Sequence, residues 1–161
     1  MRYFLDTEFI EDGKTIDLVS IGIVAEDGRE YYACNIEARL DLASSWVRNN
    51  VLPHLPQYGD KAWKNRTYIA KDVASFIYGP CPQIWAYYAY YDWVALCQLF
   101  GTMMNLPSYF PKFCMDLKQL SHHKGGPVHP PDPTDEHNAL ADARWNMELF
   151  RFLEPLPWVR V

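Results

Sequence analysis

The sequence predicts an α/β fold built on a mixed central sheet flanked by helices. Three features lead there: an opening set of strand-like segments joined by Asp-Gly turns, a later alternation of helical spacing with short apolar runs, and the lack of any internal repeat or linker. A chain of 161 residues fits one domain, spanning 1–161. At that length folding buries roughly 70% of the surface exposed by the unfolded chain, so a core needs no disulfides.

Residues 2–9 (RYFLDTEF) alternate as a strand, and Glu11-Asp12-Gly13 turns the chain. Residues 15–24 (TIDLVSIGIV) are rich in β-branched side chains, Glu26-Asp27-Gly28 turns again, and 29–36 (REYYACNI) make a third strand. The first 36 residues therefore predict a three-strand antiparallel meander. Helical spacing follows at 41–52 and 67–78, the second stretch ending at Gly79-Pro80. The apolar run 83–89 suits a buried parallel strand, and 92–100 an apolar helix. Residues 112–115 predict a last strand, with Asp116 opening a short helix and Gln119 completing a capping-box pattern. A Gly- and Pro-dense loop covers 124–136, long enough to expect function or mobility, and 138–153 form the final helix.

Composition excludes several classes. At 49% hydrophobic and 22% charged, the chain resembles neither a disordered nor a fibrous protein. No apolar run approaches the length of a membrane span, and Asp6 comes too early for a signal peptide, so a cytoplasmic setting is expected. Cys34, Cys81, Cys97 and Cys114 lack metal-site spacing and read as small buried hydrophobes in a reducing compartment. A net charge of −5 counts against binding dominated by phosphate contacts. It counts less if the charge is concentrated where divalent ions sit.

Asp6-Thr7-Glu8 places two carboxylates on one face of the first strand. There they repel one another and are costly to desolvate without a cation, unless the segment is a solvated strand end. On the final helix, Arg144, Glu148 and Arg151 share a polar face, while Asp142 falls nearly opposite, with Ala139, Asn146, Leu149 and Leu153. A carboxylate on the face to be buried needs a metal, a salt bridge or a backbone bond. His137, at the mouth of the loop, has the access a general base requires, or is an ordinary loop histidine. Asp92 follows a buried strand and opens a helix, as a metal ligand or as an N-cap.

The order of these elements, a DxE on the first strand, an Asp after a later strand and His-x4-Asp near the end, resembles the DEDD exonucleases of the histidine subtype, which share a ribonuclease H-like fold. More narrowly, DTEFIEDG at 6–13, SIGIVAEDGREYY at 20–32, YDWVALCQLFG at 91–101 and HNALADAR at 137–144 resemble ribonuclease AS, a polyadenylate-specific 3′-exoribonuclease group related to ribonuclease T. Phe9-Ile10-Glu11 departs from the Thr-Thr-Gly often seen in the proofreading branch, which argues against a polymerase partner.

The resemblance implies a 3′→5′ exoribonuclease acting on single-stranded RNA 3′ ends, with adenylate preference and AMP or another nucleoside 5′-monophosphate as product. It implies that Asp6, Glu8, Asp92 and Asp142 hold two divalent cations, Mg²⁺ or Mn²⁺, with Glu8 and His137 as catalytic residues and His137 as the general base. Thr7 and Phe9 would flank the terminal base and sugar, although Phe9 could equally be core. Lys112, Lys118, His122, His123 and Lys124 are the sizeable basic concentration, either a phosphate track, across a homodimer as in ribonuclease T relatives, or a solvated face. Two other functions stay open: the same centre acting on DNA or oligonucleotide 3′ ends, and a nucleic-acid-binding domain without catalysis.

Overall fold

The computed structural model describes residues 1–126 and 136–159. Strands β1 (Arg2–Glu11), β2 (Ile16–Ala25) and β3 (Glu30–Asn35) form the expected antiparallel meander. The Asp-Gly turns close it: Asp12 Oδ1 accepts the N–H groups of Lys14 and Thr15, and Gly13 takes a positive φ of 80°. The chain continues through α1 (Ser45–Asn50), β4 (Trp63–Lys64), α2 (Arg66–Phe76), β5 (Gln83–Ala86), α3 (Tyr90–Leu99), β6 (Met115–Asp116), α4 (Leu117–His123) and α5 (Ala139–Leu153). The sheet order is β4-β3-β2-β1-β5-β6, with β4, β5 and β6 each parallel to its neighbour. The mixed sheet with helices on its faces is the one the sequence predicts.

Alternation along β1 sorts side chains between two cores. Tyr3 and Leu5 join Ile21, Ile23, Ile69, Val73 and Leu96, covered by α2 and α3. Phe4 faces the other way, onto Leu117, Leu149, Phe150 and Leu153 from α4 and α5. A third group, Ile10, Val19, Val47 and Val51, seats α1 against the end of β1. Each such side chain contributes roughly 1.5–3 kcal/mol by leaving water. The carboxylates Asp6 and Glu8 thus continue the Phe4 face, towards α5.

Several predicted elements are corrected. The helix over 41–52 is broken: a 3₁₀ turn at Leu40–Leu42, then α1, then another 3₁₀ turn at Leu52–His54. Ser44 stops propagation by capping α1, its hydroxyl accepting Val47 N–H, and Pro53 prevents a regular continuation. The strand over 83–89 ends at Ala86, because Tyr87–Ala89 turn into α3. Asp92 is not the N-cap of α3; Ala89 is, and Asp92 lies inside the first turn. Asp116 does cap α4, accepting Gln119 N–H at 2.8 Å. Cys81 is exposed, not buried, on a left-handed residue between Pro80 and Pro82. Of the Gly/Pro loop 124–136, residues 127–135 lie outside those described.

Candidate functional site

Asp6, Glu8 and Asp142 offer oxygen atoms that all lie within 4.8 Å of one another. Two features of the backbone create this meeting. Gly22 sits opposite Asp6 on β2, and a β-carbon there would lie 2.2 Å from the carbonyl oxygen of Ala139, so only glycine lets α5 come this close. Asn146, 1% exposed, donates its side-chain amide to Leu5 O at 2.9 Å, fixing α5 to the strand one residue before Asp6. Asp142 stands about one turn earlier on the same helix and so faces the strand carboxylates.

Asp92 approaches from α3 on the other side of β1. Its Oδ1 accepts both the backbone N–H of Thr7 at 2.8 Å and the Thr7 hydroxyl at 2.7 Å. Thr7 therefore has its hydroxyl committed to Asp92 and is 5% exposed, while still lining the cleft. The register of β1 against β2 steps between Glu8 (opposite Ser20) and Phe9 (opposite Leu18). Such an irregularity increases local twist and re-aims the residues beyond it. Phe9 is half-buried and stacks on Tyr91 with centroids 5.3 Å apart and planes 10° from parallel.

A cleft of about 230 Å³ collects these groups, with all four carboxylates, His137, Phe9 and Tyr91 in its walls. A second cleft of about 300 Å³ adjoins it through the shared residues Glu8 and Phe9 and is walled by Trp46 and Val47 of α1. His137 has φ +69°, a left-handed conformation that costs a residue with a β-carbon about 1–2 kcal/mol. Two contacts hold it: its backbone N–H donates to Asp142 Oδ2 at 2.9 Å, and its ring packs edge-on against Trp46 at 4.8 Å. Strain held by such contacts is a mark of a functional position.

The electrostatics are those of an acidic centre without a counter-charge. Burial, and after it Asp92, Asp142 and Glu8, raises Asp6 well above the ordinary carboxylate range. Glu8, 8% exposed, is pushed up to about 8 by burial and then by Asp142 and Asp92. Burial raises Asp92 to about 7 against the opposing Thr7 hydrogen bonds, and Asp142 to about 6 against the His137 N–H. The strand-end alternative for Asp6-Thr7-Glu8 is thus overturned, since Glu8 is buried. Among the described residues no Lys or Arg pairs with any of the four. Clustered carboxylate oxygens without an organic cation are the donor set of a hard divalent ion. The residues fit that group.

The site residues named from sequence come together: Asp6, Glu8, Asp142, Asp92, His137, Thr7 and Phe9 all line one cleft. Sequence reading missed Trp46, Tyr88 and Tyr91 in the walls, and Gly22 and Asn146 behind them. Gly22 carried a usable signal, because glycine inside a β-branched strand often marks a close backbone approach. The basic concentration does not act as one unit. Lys124 is committed to the carbonyls of Glu154 and Leu156, and Lys112 reaches Met103 O, while Lys118 lies over Tyr87 and Tyr88.

The fold is ribonuclease H-like and is shared with solved exonuclease I structures. E. coli exonuclease I in complex with a dT13 oligonucleotide superposes with a TM-score of 0.65 at 11% identity, covering 96% of this chain and 41% of that one. Exonuclease I from Methylocaldum szegediense gives a TM-score of 0.65 at 14% identity, with the same 96% and 41% coverage. This chain thus spans about two fifths of those exonuclease I chains, and the likeness is one of fold. The chain belongs to the 3′-5′ exoribonuclease Rv2179c-like domain family, whose model matches residues 1–153. It is 49% identical over 156 residues to the 3′-5′ exoribonuclease Rv2179c of Mycobacterium tuberculosis H37Rv, covering 95% of this chain and 93% of that protein. The 3′-5′ exoribonuclease MT2234.1 of strain CDC 1551 aligns with the same identity and coverage.

Proposed function

We propose that this protein is a metal-dependent 3′→5′ exoribonuclease that releases nucleoside 5′-monophosphates from single-stranded 3′ ends. The observation that carries the reading is the convergence of Asp6, Glu8 and Asp142 within 4.8 Å, in a cleft that also holds Asp92 and His137. Membership of an exoribonuclease family and the exonuclease fold support it.

Asp6, Glu8, Asp92 and Asp142 would hold two ions, Mg²⁺ or Mn²⁺. Bound there, the ions would supply Lewis-acid activation of water and charge stabilisation at the departing 3′-oxygen. The protein's own groups do the rest. Thr7 gives two hydrogen bonds to Asp92 Oδ1, so that among the described contacts Oδ2 stays available to an ion. The His137 N–H donates to Asp142 Oδ2 and leaves Oδ1 available in the same way. The His137 ring, held by Trp46, accepts the water proton at an imidazole nitrogen as general base. The Phe9–Tyr91 pair gives the terminal base an aromatic wall.

Adenylate preference belongs to the same reading and rests on the motifs at 6–13 and 137–144. A homodimer, implied by the likeness to ribonuclease T relatives and tested by light scattering, and a cytoplasmic setting belong to the same proposal. Matched 5′-labelled single strands of RNA and DNA, incubated with Mg²⁺, Mn²⁺ or EDTA, test the substrate class. The expected result is metal-dependent shortening of RNA from its 3′ end, with poly(A) degraded faster than other homopolymers. Equal or faster cleavage of DNA would move the reading to a general 3′ exonuclease, and no cleavage of either would remove it.

A further inference from the structure

We propose that Tyr88 and Lys118 form a second nucleotide subsite at the mouth of the carboxylate cleft. It would take the unpaired base and phosphodiester of the nucleotide adjoining the terminal one. This rests on the exonuclease reading above and extends it to the path of the substrate strand.

Tyr88 lies in the turn from β5 to α3 at φ +55°. A left-handed tyrosine costs about 1–2 kcal/mol that glycine or asparagine would largely avoid. Burial does not offset that cost, since the side chain is 56% exposed. Its described ring contacts are Tyr87, edge-on at 4.7 Å, and the Lys118 ammonium. Yet Tyr88 lines the same cleft as Asp6, Glu8 and His137. An exposed aromatic ring on a strained backbone, at the edge of a reactive centre, calls for a role outside the core.

The turn is also clamped. Ala89 N–H donates to Asp116 Oδ2 at 2.9 Å, and the Gln119 side-chain amide donates to the Tyr90 hydroxyl at 2.5 Å. Both clamping residues sit at the start of α4, beside Lys118. The element that fixes the turn therefore also presents the cation. The Lys118 ammonium stands 5.6 Å from each of the Tyr87 and Tyr88 ring centroids. Among the described residues no carboxylate pairs with it. An exposed aromatic ring beside an ammonium that no described carboxylate neutralises matches a single-strand nucleotide: the ring stacks on the base and the cation meets the phosphate. In the exonuclease reading above the Phe9–Tyr91 pair takes the terminal base, which leaves Tyr88 for its neighbour.

The test compares two substrates in wild-type protein and in Tyr88→Asn, Tyr88→Phe and Lys118→Gln. One is a labelled oligoribonucleotide. The other is adenosine 5′-(p-nitrophenyl phosphate), which has no adjoining nucleotide. The readout is the ratio of kcat/KM for the oligonucleotide to that for the ester. Asparagine tolerates the left-handed backbone, so Tyr88→Asn removes the ring without new strain. Its ratio should fall at least about fivefold, the lower end of a base–aromatic stack, while Tyr88→Phe keeps the wild-type ratio. Lys118→Gln should reduce the salt slope of oligonucleotide binding by about 0.7. A fall smaller than about fivefold in Tyr88→Asn, or an equal loss in Tyr88→Phe, overturns the subsite. Wild-type protein that cleaves neither substrate counts against the exonuclease reading instead. Anisotropy of the labelled oligonucleotide in Ca²⁺ then decides the subsite alone, which is overturned if Tyr88→Asn binds as tightly as wild type.

Discussion

Stripping divalent ions from the protein should make its stability fall as pH rises from 5 to 8. Glu8 sits near 8 instead of its ordinary 4.5, Asp92 near 7 and Asp142 near 6, each chiefly because burial penalises the charged form. The folded state therefore binds more protons than the unfolded chain between about pH 4 and pH 8. By linkage, stability is fully present below the unfolded value near 4 and is lost as pH rises through 6 to 8. Ionising Glu8 alone at pH 8 costs on the order of 4 kcal/mol. Asp92 and Asp142 carry burial penalties of their own, so that figure is a floor for the centre. For a chain of this size it lowers Tm by about 10 °C. Thermal melts by circular dichroism in EDTA, from pH 5 to 8, read the slope directly. Millimolar Mg²⁺ should restore the pH 8 melt and flatten the profile, because a cation favours the charged carboxylates. A pH-independent Tm in EDTA, or no rise with Mg²⁺ at pH 8, would refute the reasoning.

Three substitutions probe the supporting structure. Thr7→Val removes one of two donors to Asp92 and should lower kcat about tenfold, with more Mg²⁺ needed for half-maximal activity in steady-state assays. Gly22→Ala drives a β-carbon into the Ala139 carbonyl and should destabilise the fold by about 2–3 kcal/mol in urea titrations, while displacing Asp142. His137→Asn keeps a residue that tolerates positive φ, so the melting profile should stay near wild type while kcat drops about 10²–10⁴-fold.

Much of the architecture could be read directly from the chain. The meander was legible because Asp12-Gly13 and Asp27-Gly28 punctuate apolar, partly β-branched runs of strand length. Strands β4 and β6 were harder, since two residues each carry no period, and their pairing is set by neighbours distant in sequence. The break in helix 41–52 turns on a single hydroxyl, Ser44, capping Val47, which spacing alone does not reveal. At the site, alternation and helical phase placed Asp6, Glu8 and Asp142 on meeting faces. Asp92 looked like a cap because the residue pattern at a helix start is the same for both roles; only the long-range bond to Thr7 separates them. Trp46 and Tyr88 were invisible because their relation to His137 and to the cleft is tertiary. The acidic net charge, read at first as a mark against a nucleic-acid substrate, is in part the carboxylate cluster itself.

The most direct test uses a 5′-labelled single-stranded RNA with Mg²⁺, followed over time for wild-type protein and for Asp6→Ala, with products identified by mass spectrometry. The account predicts a ladder that shortens from the 3′ end and nucleoside 5′-monophosphates as the product. It also predicts loss of both in EDTA and in Asp6→Ala, with the variant still folded. Internal cleavage, or a ladder that persists in Asp6→Ala, would contradict it.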